Sequence, residues 1–247
     1  MKLNILLTND DGIFFEGLKE LFFALKDEFN VFVVAPMEEH SGTSHKITIH
    51  QPLLTNRVIE DGVEGIGVNG TPVDCVKLAL QNLYNGKIDL IISGINKGSN
   101  NGISVHYSGT VAAIIEGAFF NIPGIAVSLY SYQDKKFKEA AQFIKQFIKN
   151  NYEFMKENSS VLNINIPSEP DFSKEPKFCR QGLGNFFQLY AEHNHLGKNY
   201  YFAGGPEKEL DHERDDDDRY ILENEVTITP LKIDLTDYDN LEKWKGR

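Results

Sequence analysis

The feature that most constrains the fold is a regular alternation of short apolar runs with longer amphipathic segments through the first two-thirds of the chain. The short runs are rich in β-branched residues, which is typical of strands, whereas the longer segments place apolar residues at helical spacing. The predicted strands are Asn4–Thr8, Val31–Ala35, Leu90–Ser93, Gly124–Leu129 and Val161–Ile166, and the predicted helices are Glu16–Phe29, a helix beginning at Pro72, Thr110–Phe120 and Lys135–Lys149. This order predicts an α/β fold with a mostly parallel sheet that carries helices on both faces.

The last third of the chain has a different character. Residues 168–230 are rich in Phe, Tyr, Gly and Asn and contain short strand-like runs such as Glu225–Thr229. We therefore predict an α/β domain over residues 1–167 and a C-terminal extension over residues 168–247 that forms extended hairpins or an interaction arm. The segment Asp211–Arg219 includes four consecutive aspartates. Because packed like charges repel, it predicts a solvated loop, with a second cation site as the alternative.

Composition narrows the classes of function and the compartment. The chain has 247 residues and a formal net charge of −11 at pH 7, which argues against sequence-independent binding to duplex nucleic acid, since that needs clustered Lys and Arg. The amino-terminal apolar run is short and leads into two aspartates, so it predicts no secretory signal. No apolar stretch of the sequence is long enough to span a membrane. With only Cys75 and Cys179 as thiols, the chain suits a reducing cytoplasm.

Two adjacent acids follow the first predicted strand, within Thr8–Gly12 (TNDDG). Neighbouring side chains of a strand point to opposite faces, so Asp10 and Asp11 can converge only where the chain turns, and Gly12 permits a turn. Convergent carboxylates repel each other unless a cation lies between them, and oxygen ligands suit Mg²⁺ or Mn²⁺. The segment therefore indicates a metal site, with an Asx turn carrying surface aspartates as the alternative.

Two further polar loops are expected at the same edge of the sheet, because ligands of α/β sheets bind beyond the carboxyl ends of the strands. Ser41–His45 follows the strand that stops at Pro36, and its hydroxyls and glycine make a compact polar loop. Ser93–Gly102 contains Asn96, a neutral oxygen ligand, and Lys97, which can meet an anion together with backbone amides. Each loop taken alone is also typical of an ordinary surface loop.

The segment Tyr107–Thr110 (YSGT) leads into a predicted helix. Ser108 or Thr110 can cap that helix through a side-chain oxygen. The same geometry makes a phosphate site, because the N–H groups and the dipole of a helix favour an anion at this end. Both interpretations stay open on the sequence alone, and one hydroxyl can cap while the other binds. By contrast, Asp74 in the first turn of the helix that begins at Pro72 is typical of a structural cap, with Thr71 as the capping residue.

These segments together resemble the SurE family of survival-protein nucleotidases. The resemblance rests on LLTNDDG, SGTSHKIT, GTPVDCVKLAL, SGINKGSN and YSGTVAAIIEG, at Leu6–Gly12, Ser41–Thr48, Gly70–Leu80, Ser93–Asn100 and Tyr107–Gly117. Fainter matches at Leu162–Pro167 and Ile228–Thr236 extend it over nearly the whole chain. The occurrence of TNDDG, SGIN and YSGT in this order is highly specific, whereas a single one of them would not be.

The resemblance implies a divalent-metal-dependent 5′/3′-nucleotidase that hydrolyses nucleoside monophosphates, with some members also acting on polyphosphate. It implies one Mg²⁺ or Mn²⁺ per subunit on Asp10, Asp11, Ser41 and Asn96, and a substrate phosphate near Asn9, Asn96, Ser108, Gly109 and Thr110. It also implies a Rossmann-like three-layer sandwich whose C-terminal arm joins the subunits of a homodimer or homotetramer.

Several chemical mechanisms fit these residues. Either Asp10 or Asp11 can act as general base toward water, or Asp10 can attack phosphorus directly. A phosphatase of the haloacid-dehalogenase type, which forms a phosphoryl-aspartate, is an alternative, although such enzymes usually separate their two aspartates by one residue. A nucleotide-binding sensor without turnover is the non-enzymatic alternative. A dinucleotide dehydrogenase is disfavoured because no G-x-G-x-x-G follows the first strand.

Overall fold

The computed structural model describes residues 2–130, 136–184, 190–203 and 214–247. Two sequence predictions fall partly outside these ranges, namely the helix start at Lys135 and residues 211–213 of the predicted acidic loop. The strands are β1 (Asn4–Thr8), β2 (Asn30–Pro36), β3 (Thr55–Glu60), β4 (Val63–Val68), β5 (Leu90–Lys97), β6 (Gly124–Leu129), β7 (Val161–Ile166), β8 (Lys177–Phe178), β9 (Tyr190–His195), β10 (Lys198–Ala203) and β11 (Thr227–Pro230). The α-helices are α1 (Glu16–Leu25), α2 (Pro72–Leu78), α3 (Gly109–Ala118), α4 (Phe137–Glu157), α5 (Asp217–Leu222) and α6 (Tyr238–Lys245).

Nine strands form one sheet in the order β3-β4-β2-β1-β5-β6-β7-β11-β8. The strands from β4 to β7 in this order run parallel to one another. Only β3 against β4 and β11 against β7 are antiparallel pairs within this sheet. Helices α1 and α4 pack on one face, and α2 and α3 pack on the other. The predicted α/β fold with a mostly parallel sheet covered on both faces is confirmed.

The central strands are apolar on both sides because each face of the sheet is covered by helices. In β1, Ile5 and Leu7 join the cluster beneath α1 and α4, whereas Leu6 joins the cluster beneath α2 and α3, and all three are fully buried. Burying one such side chain contributes roughly 1.5–3 kcal/mol relative to leaving it exposed. This two-sided burial explains why the strand sequences read as continuous apolar runs rather than as alternating ones.

The parallel strands bring the polar loops to one edge of the sheet. Thr8 at the end of β1 lies opposite Ser93 of β5, and Leu7 lies opposite Val33 of β2. The chain therefore leaves β1, β2 and β5 at the same carboxyl edge, as the sequence predicted. The Asp10–Asp11 turn and the two polar loops that follow β2 and β5 all start there.

The helix boundaries differ from the predictions where tertiary packing decides them. Helix α1 ends at Leu25, before the predicted Phe29, because the chain turns there to place Asn30 at the start of β2. Helix α4 runs to Glu157, beyond the predicted Lys149, and its last turns bury Met155. Periodicity identified both helices, but boundaries depend on contacts with other elements.

The start of α2 follows local chemistry, as predicted. The hydroxyl of Thr71 accepts a hydrogen bond from the backbone N–H of Asp74 at 3.2 Å, and the Asp74 carboxylate accepts one from the N–H of Thr71 at 2.9 Å. This reciprocal pair is a capping box, which satisfies two N–H groups at the start of the helix. The interpretation of Asp74 as a structural residue is confirmed.

The prediction of a solvated acidic loop is wrong for the aspartates at the start of α5. Asp216, Asp217 and Asp218 are only 3%, 0% and 4% exposed. Asp216 caps α5 by accepting a hydrogen bond from the N–H of Arg219 at 3.2 Å. Burial raises the pKa of Asp217 to about 6, an effect that hydrogen bonds from the N–H groups of Gly182 and Gly102 oppose. These aspartates stay buried despite their mutual repulsion because backbone N–H groups from distant segments donate hydrogen bonds to their carboxylates.

The C-terminal residues return to the sheet and also form a separate hairpin. Strand β11 lies against β7, and β8 pairs with β11. Strands β9 and β10 form the predicted hairpin, on which Tyr190, Tyr201 and Phe202 are exposed. Helix α6 buries none of its residues in this single chain and exposes 68% of Trp244. The domain boundary at residue 167 and the use of the tail as an assembly arm stay predictions.

Within the part of the chain that the structure describes, no helix is both long and apolar enough to cross a membrane. Cys75 and Cys179 are buried and form no disulfide. The cytoplasmic location stays a prediction.

Candidate metal and phosphate site

A cleft of about 430 Å³ opens at the carboxyl edge of the sheet. Its walls come from the loops that follow β1, β2 and β5 and from the segment that precedes α3. The cleft is lined by Asp10, Asp11, Phe15, Glu39, Ser41, Gly42, Asn96, Lys97, Gly98, Ser99, Asn100, Ser104, Tyr107 and Ser108. Its volume lies within the range of pockets that hold small molecules, so a ligand the size of a nucleotide can fit.

Asp10 forms the floor of the cleft and is only 5% exposed. The hydroxyl of Thr110 donates a hydrogen bond of 2.5 Å to its Oδ1. Gly109 lies directly behind it, since a Cβ atom on Gly109 would stand 3.0 Å from the Cβ of Asp10. Burial raises the pKa of Asp10, and the Thr110 hydrogen bond opposes this effect. The start of α3 thus supports the side chain of the first acid.

Asp11 lies beside Asp10 at the predicted turn. Gly12 has a φ of +103°, in the left-handed region that favours glycine, so the turn after the acids is confirmed. The Asp11 Oδ2 accepts a hydrogen bond from the N–H of Lys97 at 3.4 Å. Burial and the neighbouring Asp10 charge raise the pKa of Asp11 to about 7. Both effects disfavour the ionised carboxylate and would be offset by a cation held between the two acids.

Asn96 reaches the same cleft through an irregularity in β5. The pairing of β5 with β6 shifts register between Ser93 and Asn96. Gly94 makes this possible because a Cβ atom there would lie 2.4 Å from the carbonyl oxygen of Val127. The Nδ2 of Asn96 donates to the carbonyl of Gly98 at 2.7 Å. That hydrogen bond commits the amide nitrogen, so Oδ1 is the atom that can serve as a neutral ligand.

Ser41 lies on the exposed rim of the cleft. Its loop is tied to the acids because the N–H of His40 donates to the backbone carbonyl of Asp10 at 2.7 Å. The hydroxyl of Ser41 donates to Glu39 at 2.6 Å, which leaves the lone pairs of its oxygen available to a ligand. Residues far apart in sequence, Asp10, Asp11, Ser41 and Asn96, therefore line one cleft, as expected.

The predicted phosphate contacts divide into two groups. Ser108 lines the cleft and also caps α3, since its hydroxyl accepts from the N–H of Val111 at 3.1 Å. Asn9, Gly109 and Thr110 are not among the cleft-lining residues and lie buried behind the acids. The Nδ2 of Asn9 donates to the carbonyl of Gly12 at 2.8 Å and so shapes the turn. The role of this second group in binding phosphate stays a prediction.

A buried carboxylate of α3 helps to hold the Ser41 loop. Glu116, which is 3% exposed, pairs with His45 at 3.0 Å and with Lys77 at 2.9 Å. Ser44, the residue before His45, donates through its N–H to the carbonyl of Tyr107 and through its hydroxyl to the carbonyl of His106. These contacts fix the rim of the cleft to the segment that precedes α3.

Comparison with protein-family models matches residues 5–188 to the family described as Survival protein SurE. The chain belongs to the SurE family. It is 42% identical over 247 residues to a protein of Syntrophomonas wolfei named 5'-nucleotidase SurE, covering 98% of this chain and 94% of that one. It is also 42% identical over 259 residues to the 5'-nucleotidase SurE of Natranaerobius thermophilus, covering 98% and 99% of the two chains. The crystal structure of the SurE protein from Aquifex aeolicus matches with a TM-score of 0.84 at 34% identity, covering 98% of each chain.

The donor set of this SurE cleft fits a hard divalent cation. Among the described ranges, no group of three or more His, Cys, Asp and Glu side chains could hold a metal. A cation at Asp10 and Asp11 therefore needs neutral oxygen donors, which Ser41 and Asn96 can supply. Two carboxylates, a hydroxyl and an amide suit Mg²⁺ or Mn²⁺ better than a soft metal. Burial raises the pKa of both acids, and a bound cation would offset this effect.

Sequence analysis missed several residues of the SurE cleft. Glu39 adds a third carboxylate to the lining of the cleft. The only sequence feature that could have predicted this is its position two residues before Ser41 in the same loop. Ser104, Phe15 and Tyr107 also line the cleft, and 52% of Tyr107 is exposed. Nothing in the periodicity of the chain distinguishes these side chains from ordinary loop residues.

We expect the metal-free protein to lose stability as the pH rises from about 4 to about 7 through the contribution of Asp11. Its pKa is about 7 in the folded chain and 3.8 ordinarily, so between these values the folded state holds a proton that the unfolded state has released. Melting temperatures in EDTA should therefore decline over this window more steeply for the wild-type protein than for Asp11→Asn. Added Mn²⁺ should restore stability above pH 7, where the carboxylate is ionised. Equal pH slopes in both proteins would contradict the assignment.

Proposed function

We propose that this chain is a divalent-metal-dependent phosphomonoesterase that hydrolyses nucleoside 5′-monophosphates, and also 3′-monophosphates, to nucleoside and phosphate. The observation that carries the proposal is the convergence of Asp10, Asp11, Ser41 and Asn96 on one cleft. The names of the two bacterial relatives support a nucleotide as substrate. Activity on polyphosphate is a further part of the proposal, because the cleft is open to solvent at its Ser41 rim.

Asp10, Asp11, Ser41 and Asn96 would hold one Mg²⁺ or Mn²⁺ per subunit. When bound, such an ion neutralises phosphate charge and lowers the pKa of water. Asp10 is positioned for this by Thr110, and Asp11 by the N–H of Lys97. The chain thus orients two carboxyl groups before any ligand arrives, and preorganisation of this kind lowers a reaction barrier.

Ser108 and the start of α3 would orient the substrate phosphate. The dipole of the helix favours an anion at its first turn, where the N–H of Val111 is already bonded to the Ser108 hydroxyl. Lys97 lines the same cleft and adds a positive charge that the acids do not supply. Phe15 and Tyr107 line the cleft, and stacking of a nucleobase on either ring would favour a nucleotide over a sugar phosphate.

Hydrolysis requires a water oxygen to attack phosphorus in line with the departing nucleoside oxygen. The new P–O bond forms as the ester P–O bond breaks, and the proton lost by water ends on the nucleoside hydroxyl. Asp10 or Asp11 can carry that proton as general base, or Asp10 can attack directly and be released by water afterwards. Positioning and electrostatics do most of the work in such transfers.

The test is release of inorganic phosphate by the full chain. AMP, GMP, 3′-AMP, polyphosphate and glucose 6-phosphate are each incubated with Mg²⁺, Mn²⁺, Ca²⁺, Zn²⁺ or EDTA. We expect release from nucleotides with Mg²⁺ or Mn²⁺ and none with EDTA. Nucleotide binding without release would instead identify a sensor, and a phosphoryl-aspartate trapped during turnover would identify a phosphatase of the haloacid-dehalogenase type.

We also propose that the chain assembles as a homodimer or homotetramer through its C-terminal arm. The exposed Tyr190, Tyr201 and Phe202 of the β9–β10 hairpin and the exposed Trp244 of α6 support this, because aromatic side chains are enriched at interfaces. Light scattering on the full chain at micromolar concentration measures the assembly state directly. A monomer under those conditions would contradict the proposal.

A further inference from the structure

The segment Asn100–Gly102 connects the cleft to the residues that are proposed to face the substrate. It leads into a short 3₁₀ turn, Gly102–His106, which contains Ser104 and precedes Tyr107 and Ser108. Asn100, Ser104, Tyr107 and Ser108 all line the cleft. The placement of the Asn100–Gly102 segment therefore determines where the far wall of the cleft stands.

Strand β7 holds the first residue of this segment. The N–H of Asn100 donates to the Oδ1 of Asn165 at 2.7 Å, and the Nδ2 of Asn163 donates to the carbonyl of Asn100 at 2.7 Å. The side chain of Asn100 in turn donates to Ser128 on β6 at 2.8 Å. These groups are buried, so each hydrogen bond is shielded from competition with water.

The start of α5 holds the other end of the segment. The Oδ1 of Asp217 accepts hydrogen bonds from the N–H of Gly102 at 3.1 Å and from the N–H of Gly182 at 2.7 Å. The Oδ1 of Asp218 accepts from the Nδ2 of Asn101 at 2.6 Å, and its Oδ2 accepts from the N–H of Gly184 at 2.6 Å. One pair of buried carboxylates thus joins the cleft segment to the tail.

The tail packs so closely against Gly102 that no side chain fits at this position. A Cβ atom on Gly102 would lie 2.4 Å from the Oδ1 of Asp218, and Gly102 has a φ of +54°. Gln181 donates through its Nε2 to the carbonyl of Gly102 at 2.8 Å. Residues of the tail therefore engage both the N–H and the carbonyl of Gly102, although none of them lines the cleft.

We propose that Asp217 is a positioning residue for phosphate transfer, acting through Gly102 on the placement of Ser104, Tyr107 and Ser108. The inference rests on the proposed function and adds to it a residue of the C-terminal tail, which contributes no side chain to the cleft. Small displacements of groups that orient a substrate reduce turnover strongly, whereas loss of a purely structural contact lowers only stability. These two effects can be separated by experiment.

The test compares Asp217→Ala and Asp217→Asn in the full chain. Alanine removes the acceptor for the N–H groups of Gly102 and Gly182, whereas the Oδ1 of asparagine can still accept both. We expect Asp217→Ala to lower kcat/KM for AMP with Mn²⁺ about 10- to 100-fold, chiefly through kcat, and to weaken inhibition by inorganic phosphate. Asp217→Asn should recover most of both losses. Asp215→Ala is the matched control, since Asp215 is exposed and bonds the hydroxyl of Tyr220.

Assays are run well below the melting temperature of each variant, which is measured alongside. A lowered melting temperature with unchanged kcat and KM for Asp217→Ala would overturn the proposal. If that variant does not fold, it is replaced by Asp218→Ala, which removes the acceptor for Asn101. The same loss of kcat/KM is expected, and unchanged kcat and KM would again overturn the proposal.

If the wild-type protein releases no phosphate, the proposed function is contradicted. The inference is then decided by calorimetric binding of inorganic phosphate with Mn²⁺, where equal affinity in Asp217→Ala and wild type overturns it and weaker affinity supports it.

Discussion

Asp11→Asn protein is expected to release phosphate from nucleoside monophosphates at least about 100-fold more slowly than the wild-type chain. Changes to groups that merely support a metal ligand typically cost about 10- to 100-fold in affinity or activity, so loss of a ligand charge should cost at least as much. The substitution keeps the size of the side chain and keeps an oxygen that can accept from the N–H of Lys97. The variant should also bind Mn²⁺ more weakly by calorimetry.

Stability distinguishes this loss from simple unfolding. Because the ionised Asp11 carboxylate is disfavoured in the metal-free fold, Asp11→Asn should melt in EDTA at pH 7.5 at the same temperature as the wild type or higher. Asp27→Asn is the control, since Asp27 is an exposed acid in the turn before β2, at the opposite edge of the sheet. Near-normal turnover of Asp11→Asn with added metal would refute the proposed site.

Gly17→Ala is expected to destabilise the fold by about 1–3 kcal/mol, the usual cost of overpacking. Helix propensity alone predicts the opposite sign, because Ala favours helix more than Gly does. Packing should prevail, since a Cβ atom on Gly17 would lie 2.1 Å from the carbonyl oxygen of Ile95. For a chain of this size the melting temperature should fall by roughly 2–12 °C.

The same substitution should impair activity, because Ile95 immediately precedes Asn96. A backbone shift at Ile95 moves the Asn96 amide relative to the acids, and we expect kcat/KM to fall about 10-fold or more, given how steeply turnover depends on placement. Gly246→Ala is the matched control, since a Cβ atom there meets only ordinary contacts at 3.7 and 3.8 Å. Unchanged stability in Gly17→Ala would mean that α1 is not packed against β5 as described.

The features predicted correctly are those whose determinants lie close together in sequence. The strand before Asp10, the turn at Gly12 and the cap at Thr71 each depend on residues within a few positions of one another. Parallel alternation then brings the polar loops to one edge without any knowledge of side-chain contacts. For this reason the loops that carry the four candidate ligands could be placed at one edge of the sheet from the strand order, whereas the ligand set itself was implied by the resemblance to the SurE family.

The features that were missed or mistaken depend on distant partners. The aspartates of α5 were predicted to be solvated because nothing near them in sequence reveals that the N–H groups of Gly102 and Gly182 donate to Asp217. The Asn100 contacts to β7 could not be predicted either, since Asn163 and Asn165 lie on one face of the strand but nothing near them in sequence identifies Asn100 as their partner. Hydrogen bonds between remote segments have no local signature, so their donors and acceptors cannot be paired by inspection.

The position of β11 between β7 and β8 has a consequence for how the protein is made. Thr227 of β11 lies opposite Asn165 of β7 and is 62 residues further along the chain. During synthesis, β7 is therefore an unpaired edge strand until almost the whole chain has left the ribosome. An unpaired edge strand can form hydrogen bonds with strands of other chains, including neighbouring nascent chains. A chain truncated at residue 188, where the family match stops, lacks β11 and would leave β7 permanently unpaired. We expect such a truncated protein to aggregate, so purification tags are better appended to the full chain.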